Sequence, residues 1–221
     1  MSNRLEFLLE QNRRWSQSVK ERNQDFFRNL AAQQNPQYLW IGCADSRVPA
    51  NEILGLEPGE VFVHRNVANV VVHTDLNCLS VLQYAVDALR VRHVLVVGHY
   101  GCGGVTAALH NTRLGLIDNW LRHVQDVRDK HRVRLMAIAD PIRQLDRLCE
   151  LNVLEQVLNL SETTIMRDAW ARGQEVTVHG LIYGLEDGVL HDLNMPVSTD
   201  NELLSHYEAA IDRLFASPAR T

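Results

Sequence analysis

Long apolar runs are missing from this sequence of 221 residues. None approaches the ~20 residues that a membrane-spanning helix needs, so no membrane association is expected. An excess of positive charge is missing as well. Lys and Arg number 22 against 27 Asp and Glu, a formal net charge of −5. A nucleic-acid binder would carry a basic footprint, so that class is set aside. Lysine is almost absent, at Lys20 and Lys130 alone, and the other basic residues are arginines. The opening Met1-Ser2-Asn3-Arg4-Leu5-Glu6 lacks the pattern of a signal peptide. A cytoplasmic, reducing setting is therefore expected, in which the four cysteines read as metal ligands or core residues rather than disulfides. Repeats, low-complexity linkers and composition breaks are also lacking. With 46% hydrophobic and 22% charged residues, one soluble domain over residues 1–221 is expected.

What is present centres on Tyr38-Leu39-Trp40-Ile41-Gly42-Cys43-Ala44-Asp45-Ser46-Arg47. A short apolar run of buried-strand length gives way to a thiol, a carboxylate and a guanidinium, each two residues apart. Val94-Leu95-Val96-Val97 has the same form and ends in Gly98-His99-Tyr100-Gly101-Cys102-Gly103-Gly104. In an open parallel sheet, chemistry collects beyond the carboxyl ends of the strands. Two strand ends thus offer Cys43, His99 and Cys102, with Asp45 beside them.

Residues 2 to about 33 place Leu5, Leu8, Leu9, Trp15, Val19, Phe26, Phe27 and Leu30 at helical spacing. That apolar stripe needs a cover, either the protein's own core or a second subunit. Asn35-Pro36 breaks the helix, and a strand is expected over 38–42. Residues 48–60 read as a loop or short helix, and Val61-Phe62-Val63 as a second strand. Thr74 or Asp75 is placed to cap a helix running to about Arg90. A third strand is expected over 93–98 and a helix from near Val105. Further helices fit 116–130 and, two or three of them, Pro141–Ala171 with Ser161 as a candidate N-cap. A strand over 175–183, an edge strand over 189–193 and a helical tail over 201–214 complete the pattern. Strand–helix–strand order implies parallel pairing with right-handed crossovers.

Two thiolates and an imidazole are a recognised ligand set for catalytic zinc, with water in the fourth position, and soft sulfur disfavours magnesium and calcium. Thiolates at Cys43 and Cys102 would cancel the charge of Zn²⁺, and the glycines around Cys102 would let backbone N–H groups approach its sulfur. The alternative is that the three are ordinary small or buried residues, which a cysteine taken alone usually is. Rival motifs fail on detail. Arg47 follows Cys43 too soon for a phosphatase loop, no Lys-Ser/Thr follows the glycines of a phosphate loop, and neither cysteine lies in a C-x-x-C redox pair. Cys78 and Cys149 sit in apolar helical patterns and read as core. His64, at the end of a strand, reads as a structural hydrogen bonder before it reads as an aid to proton export. His73, His110, His123 and His131 read as surface or capping residues. Arg128, Lys130, Arg132 and Arg134 read as one solvated stretch.

Taken together, Cys43-Ala44-Asp45-Ser46-Arg47 and His99-Tyr100-Gly101-Cys102-Gly103-Gly104 resemble the β-class carbonic anhydrases. The resemblance extends to the leading helix, Phe62 to Asn69 and His179 to Gly184. It implies an α/β fold with a mainly parallel four-stranded core sheet, an extra edge strand, flanking helices and a long N-terminal helical arm. It implies a homodimer or homotetramer in which residues 1–34 form an arm on the partner subunit. It implies reversible hydration of carbon dioxide to bicarbonate and a proton by attack of a zinc hydroxide, with Zn²⁺ on Cys43, His99 and Cys102. Zinc lowers the pKa of its water from 15.7 to roughly 7, worth about 12 kcal/mol at ~1.36 kcal/mol per unit. Asp45 would accept a hydrogen bond from the hydroxide, and Arg47 would hold Asp45 by a two-point ion pair, although that pair in isolation reads as a structural salt bridge. Gly103 and Tyr84 would line the substrate pocket, Tyr84 serving equally well as core.

Within the class, Trp40, Val48-Pro49-Ala50 and Tyr183 resemble the subgroup regulated by bicarbonate. There Asp45 would move onto zinc in a closed state, favoured by low pH and by bicarbonate bound near Trp40, Val48, Arg65 and Tyr183. By spacing alone, Trp40 and Tyr183 are core aromatics and Arg65 an ion-pair partner. Two other readings stay open: a zinc-stabilised assembly module without turnover, and hydrolysis of a carbon dioxide analogue such as carbonyl sulfide or carbon disulfide.

Overall fold

The computed structural model describes residues 4–216. The chain forms two compact units that divide between Asn35 and Pro36. In the first, the expected single helical segment is two helices, α1 (Arg4–Arg22) and α2 (Phe26–Ala32). The break falls where the Asn23 side chain accepts the Asp25 N–H at 3.2 Å, a local bond that competes with helical pairing. Trp15 packs edge-on against Phe27, ring centres 5.6 Å apart. Phe7, Leu8 and Leu9 remain exposed.

The second unit is built on five strands: β1 (Tyr38–Cys43), β2 (Val61–Asn66), β3 (His93–His99), β4 (Thr177–Tyr183) and β5 (Leu190–Asp192). Their order is β2-β1-β3-β4-β5. The first four are parallel and β5 is antiparallel on β4. The expected sheet is therefore the observed one. Its register brings the carboxyl ends level: Cys43 lies opposite Asn66, Gly42 opposite Val97, and His99 opposite Tyr183.

Successive residues of a strand serve opposite faces. Leu39, Ile41, Val94 and Val96 enter the main core, which also takes Leu82, Leu121 and Leu154 from the helices. Trp40, Leu95 and Val97 enter a smaller cluster with Val48 and Ala50. Gly98 is needed for close packing, because a methyl group there would meet Val153 Cγ2 at 2.5 Å.

The helices of this unit are α3 (Ala50–Leu54), α4 (Leu76–Gln83), α5 (Gly103–His110), α6 (Ile117–Lys130), α7 (Arg132–Met136), α8 (Pro141–Ser161), α9 (Thr164–Ala171) and α10 (Leu203–Ala216). Asp75 caps α4 by accepting the Asn77 N–H at 3.0 Å. The helix then loosens into a π turn over Tyr84–Ala88. Between Pro141 and Ala171 there are two helices, and Ser161 is not a cap. It is the buried last residue of α8, because the apolar pattern carries that helix on past Leu160. The cap of α9 is Thr163, whose hydroxyl accepts the Met166 N–H.

The basic stretch also differs from expectation. Arg128 is largely buried and donates to the Ala108 carbonyl and to Asn111. Lys130 reaches Glu155 on α8, and Arg134 reaches Asp212 on α10. These cations tie α6 and α7 to their neighbours rather than forming one solvated run. His131, expected as a surface or capping residue, stands at the cap position between α6 and α7, and its ring nitrogen lies 3.1 Å from the Tyr207 hydroxyl. No described helix is long and apolar enough to cross a membrane.

Candidate metal centre

β1 delivers Cys43 at its last residue and β3 delivers His99 at its last residue. Cys102 follows one tight turn later, immediately before α5. Gly101 supplies that turn with φ +66°, a conformation glycine adopts without penalty. The two sulfurs lie 3.9 Å apart, and the ligand atoms of Cys43, His99 and Cys102 all lie within 4.8 Å of one another. Among the described residues this is the one group of three or more such side chains able to hold a metal ion, and all three are buried.

The donors are prepared for a metal. His99 Nδ1 lies 3.0 Å from the Tyr100 carbonyl oxygen. A proton there makes that hydrogen bond and leaves the lone pair on Nε2. That Nε2 is buried and has no hydrogen-bond partner, a costly condition that a ligand would relieve. Two sulfurs each about 2.3 Å from one tetrahedral centre would be roughly 3.8 Å apart, close to the observed spacing. Soft sulfur and imidazole together suit zinc.

Backbone amides surround the sulfurs. The Cys43 sulfur accepts from the Ala68 N–H at 3.4 Å, and the nearby N–H groups of Asp45 and Val105 act to lower the pKa of Cys43 and of Cys102 respectively. The Cys43 thiol is held well below the usual cysteine range, chiefly because the Cys102 thiol donates to its sulfur. Cys102 is held above that range, because it carries the shared proton and is buried. A bound dication would displace that proton.

Asp45 stands beside this group, and Arg47 grips it. The guanidinium donates to Oδ1 at 2.9 Å and Oδ2 at 2.7 Å, and the Arg47 backbone N–H adds a third bond at 3.0 Å. Arg47 is the main reason that the Asp45 carboxyl stays below the usual carboxylate range. Asp45 Oδ2 is 3.7 Å from His99 Nε2, a neighbour but not a hydrogen bond.

The remaining expected residues fall in four places. Trp40, Val48 and Tyr183 meet in the smaller cluster. The Trp40 indole N–H there is buried and unpaired, and Gly42 makes room for it, since a Cβ on residue 42 would lie 2.1 Å from Nε1. Arg65 is committed elsewhere: its guanidinium donates to the backbone carbonyls of Cys43, at 2.9 Å, and of Asp45. Gly103 is exposed at the start of α5. Tyr84 is half exposed, and its ring lies 5.8 Å from that of Phe62.

Sequence reasoning missed a set of buried amides behind Cys43. Asn152 and Gln156, four residues apart on α8, are fully buried and bonded to one another at 3.0 Å. Asn152 also donates to the Ala68 carbonyl at 2.9 Å. Amides at i and i+4 on an otherwise apolar helix were the available signal.

Comparison with known proteins agrees with this geometry. Residues 38–190 match the family described as Carbonic anhydrase. A carbonic anhydrase of Emericella nidulans is 50% identical over 188 residues, covering 85% of this chain and 82% of the relative. The β-carbonic anhydrase of Coccomyxa, solved with acetazolamide, superposes with a TM-score of 0.87 at 37% identity, covering 99% of this chain and 100% of that one. One of two tetrameric β-carbonic anhydrases of Sordaria macrospora gives 0.83 at 39% identity, over 89% and 100%. With its strand ends, its cysteine–histidine–cysteine group and these likenesses in agreement, the chain belongs to the β-class carbonic anhydrase family and is an enzyme of that kind.

Proposed function

We propose that the chain carries out reversible hydration of carbon dioxide with one zinc ion held by Cys43, His99 and Cys102. The observation that carries this reading is the buried, unpaired His99 Nε2 set beside two sulfurs 3.9 Å apart. Zinc bound there would bring the pKa of a water in its fourth position to about 7 and so supply the attacking oxygen. Asp45 stays ionised across the working pH range, because Arg47 holds its carboxyl low. Oδ2 then accepts a hydrogen bond from the attacking water and fixes its orientation, while Arg47 prevents the carboxylate from drifting. Gly103 and Tyr84 are assigned to the wall of the substrate pocket, the first because it offers no side chain to obstruct it. Cys102→Ala is expected to lose most of its zinc and nearly all hydration activity, by metal analysis of the purified protein. Full zinc retention would remove Cys102 from the ligand set.

Control by bicarbonate is the finer part of the reading. Asp45 lies two residues beyond Cys43, so a modest loop movement would carry its carboxylate from Arg47 to the point enclosed by the three ligands and exclude water. Trp40, Val48 and Tyr183 share one cluster, and the unpaired Trp40 N–H is a donor available to an anion. Arg65, which braces the carbonyls of Cys43 and Asp45, would swing to bicarbonate and release that loop. Val48, fully buried here, would be displaced. A ligand shifts such a balance only through its differential affinity for the two states, so the effect must saturate. The sign with pH is fixed. Asp45 remains an anion, while the competing water is protonated below about pH 7, so acid favours the closed state. The profile of kcat/KM is expected to fall more steeply than a single proton allows, and more so with added bicarbonate. Tyr183→Phe and Trp40→Ala should relieve both effects. A single-proton profile indifferent to bicarbonate in all three proteins contradicts the switch.

A homo-oligomer completes the reading, with residues 1–34 as an arm on the partner subunit. The exposed Phe7, Leu8 and Leu9 of α1 support it, as does the relative in Sordaria macrospora that is described as tetrameric. Sedimentation at micromolar concentration is expected to show a species of at least two 25.2 kDa chains. A monomer under those conditions contradicts it.

A further inference from the structure

We propose that Asn152 is a positioning residue for the Cys43 sulfur, acting through the left-handed backbone of Ala68. The proposal rests on the reading of Cys43 as a zinc ligand and concerns how that ligand is aimed. Ala68 has φ +64° and ψ +28°, a conformation that disfavours any residue with a Cβ. Its two flanking peptide groups face in different directions, and each is used. The Ala68 N–H, on the peptide before it, donates to Cys43 Sγ at 3.4 Å. The Ala68 carbonyl, on the peptide after it, accepts from Asn152 Nδ2 at 2.9 Å. Two peptide planes joined by one residue fix the dihedrals of that residue. Held at one end by Asn152, Ala68 keeps its N–H aimed at sulfur.

Asn152 is itself held. It is fully buried, and its Oδ1 accepts from Gln156 Nε2 at 3.0 Å. Gln156 Oε1 in turn accepts the Val71 N–H at 2.8 Å, three residues beyond Ala68. A single amide in an apolar interior would be costly. This pair is satisfied at both ends, and its anchor points lie on the turn that carries Ala68. The same helix packs against β3 and α5, the two elements that flank the second cysteine. The α8 face is thus a rigid backing for the centre.

The consequence is electronic as well as geometric. An N–H hydrogen bond withdraws charge from a thiolate and sets how strongly it donates to the metal, and groups of this kind typically change metal affinity by about 10–100-fold when removed. If Asn152 acts through Ala68, then glycine at position 68, which adopts positive φ freely, should make the grip of Asn152 less necessary.

The test compares the parent, Asn152→Ala, and the double variant Asn152→Ala/Ala68→Gly. Each is loaded with zinc and challenged with a chelator, then loaded with cobalt(II) to read the sulfur-to-metal charge-transfer band. Asn152→Ala is expected to bind one metal but to yield it to chelator about 10–100-fold more readily, with a displaced band. The double variant is expected to recover most of both. Unchanged release and band in Asn152→Ala, with only a lower melting temperature, would reduce Asn152 to core packing and overturn the proposal. A double variant no better than the single would overturn the route through Ala68. A parent without zinc would overturn the ligand assignment and the proposal with it, and is told apart by metal content alone. Should Asn152→Ala not fold, Gln156→Met takes its place. It frees the Asn152 oxygen and is expected to shift release and band in the same direction by less, and no shift there overturns the proposal.

Discussion

Everything at the centre depends on β1 and β3 being parallel neighbours that end level. Parallel pairing places Gly42 opposite Val97, so Cys43, one residue on in β1, and His99, two residues on in β3, both emerge at the same end of the sheet. Separated by more than fifty positions in the chain, they meet because the crossover through β2 and α4 returns the backbone in the same direction. A slip of one residue would turn each side chain to the opposite face. The register is held by alternating burial: Leu39 and Ile41 in the main core, Trp40 in the smaller cluster. The packing that makes the sheet is therefore the packing that makes the ligand set.

The tight turns beyond the strands add what the strands cannot supply. Gly101 reverses the chain after His99 so that Cys102 returns to within 3.9 Å of Cys43, sulfur to sulfur. The Asp45–Arg47 pair closes over the same end. Three hydrogen bonds between two residues of one short turn keep the carboxylate ionised and off the ligand atoms. Asp45 Oδ2 lies 3.7 Å from His99 Nε2, and Arg47 holds it at that place. Surface ion pairs contribute little to stability, with a median of about 0–1 kcal/mol, and Arg47 is exposed. Its importance lies in where it keeps Asp45.

Much of this was legible in the residues. Cys43, His99 and Cys102 each stand where an apolar run stops, and a strand end in a parallel sheet is where ligands gather. Thr74 or Asp75 announced a helix by type and position, and Asp75 is the one that caps it. Other features were hidden. Ser161 looked like a helix start because Glu162 followed it, yet the burial of Leu160 and Ser161 keeps α8 running, and only tertiary contacts reveal that. Arg128, Lys130 and Arg134 read as solvated because their partners lie on other elements. Arg65 showed its charge but not its posture, bent back on the carbonyls of Cys43 and Asp45. Asn152 escaped notice because its target is a backbone carbonyl 84 residues away, and backbone acceptors leave no trace in a sequence.

The most direct measurement is stopped-flow hydration of carbon dioxide on protein whose zinc content has been set stepwise, from chelator-stripped to fully loaded. The account predicts no turnover above background in the stripped protein. It predicts activity rising in proportion to zinc and levelling at one ion per chain. Undiminished hydration in the stripped protein, or a fully loaded protein without hydration, would contradict it.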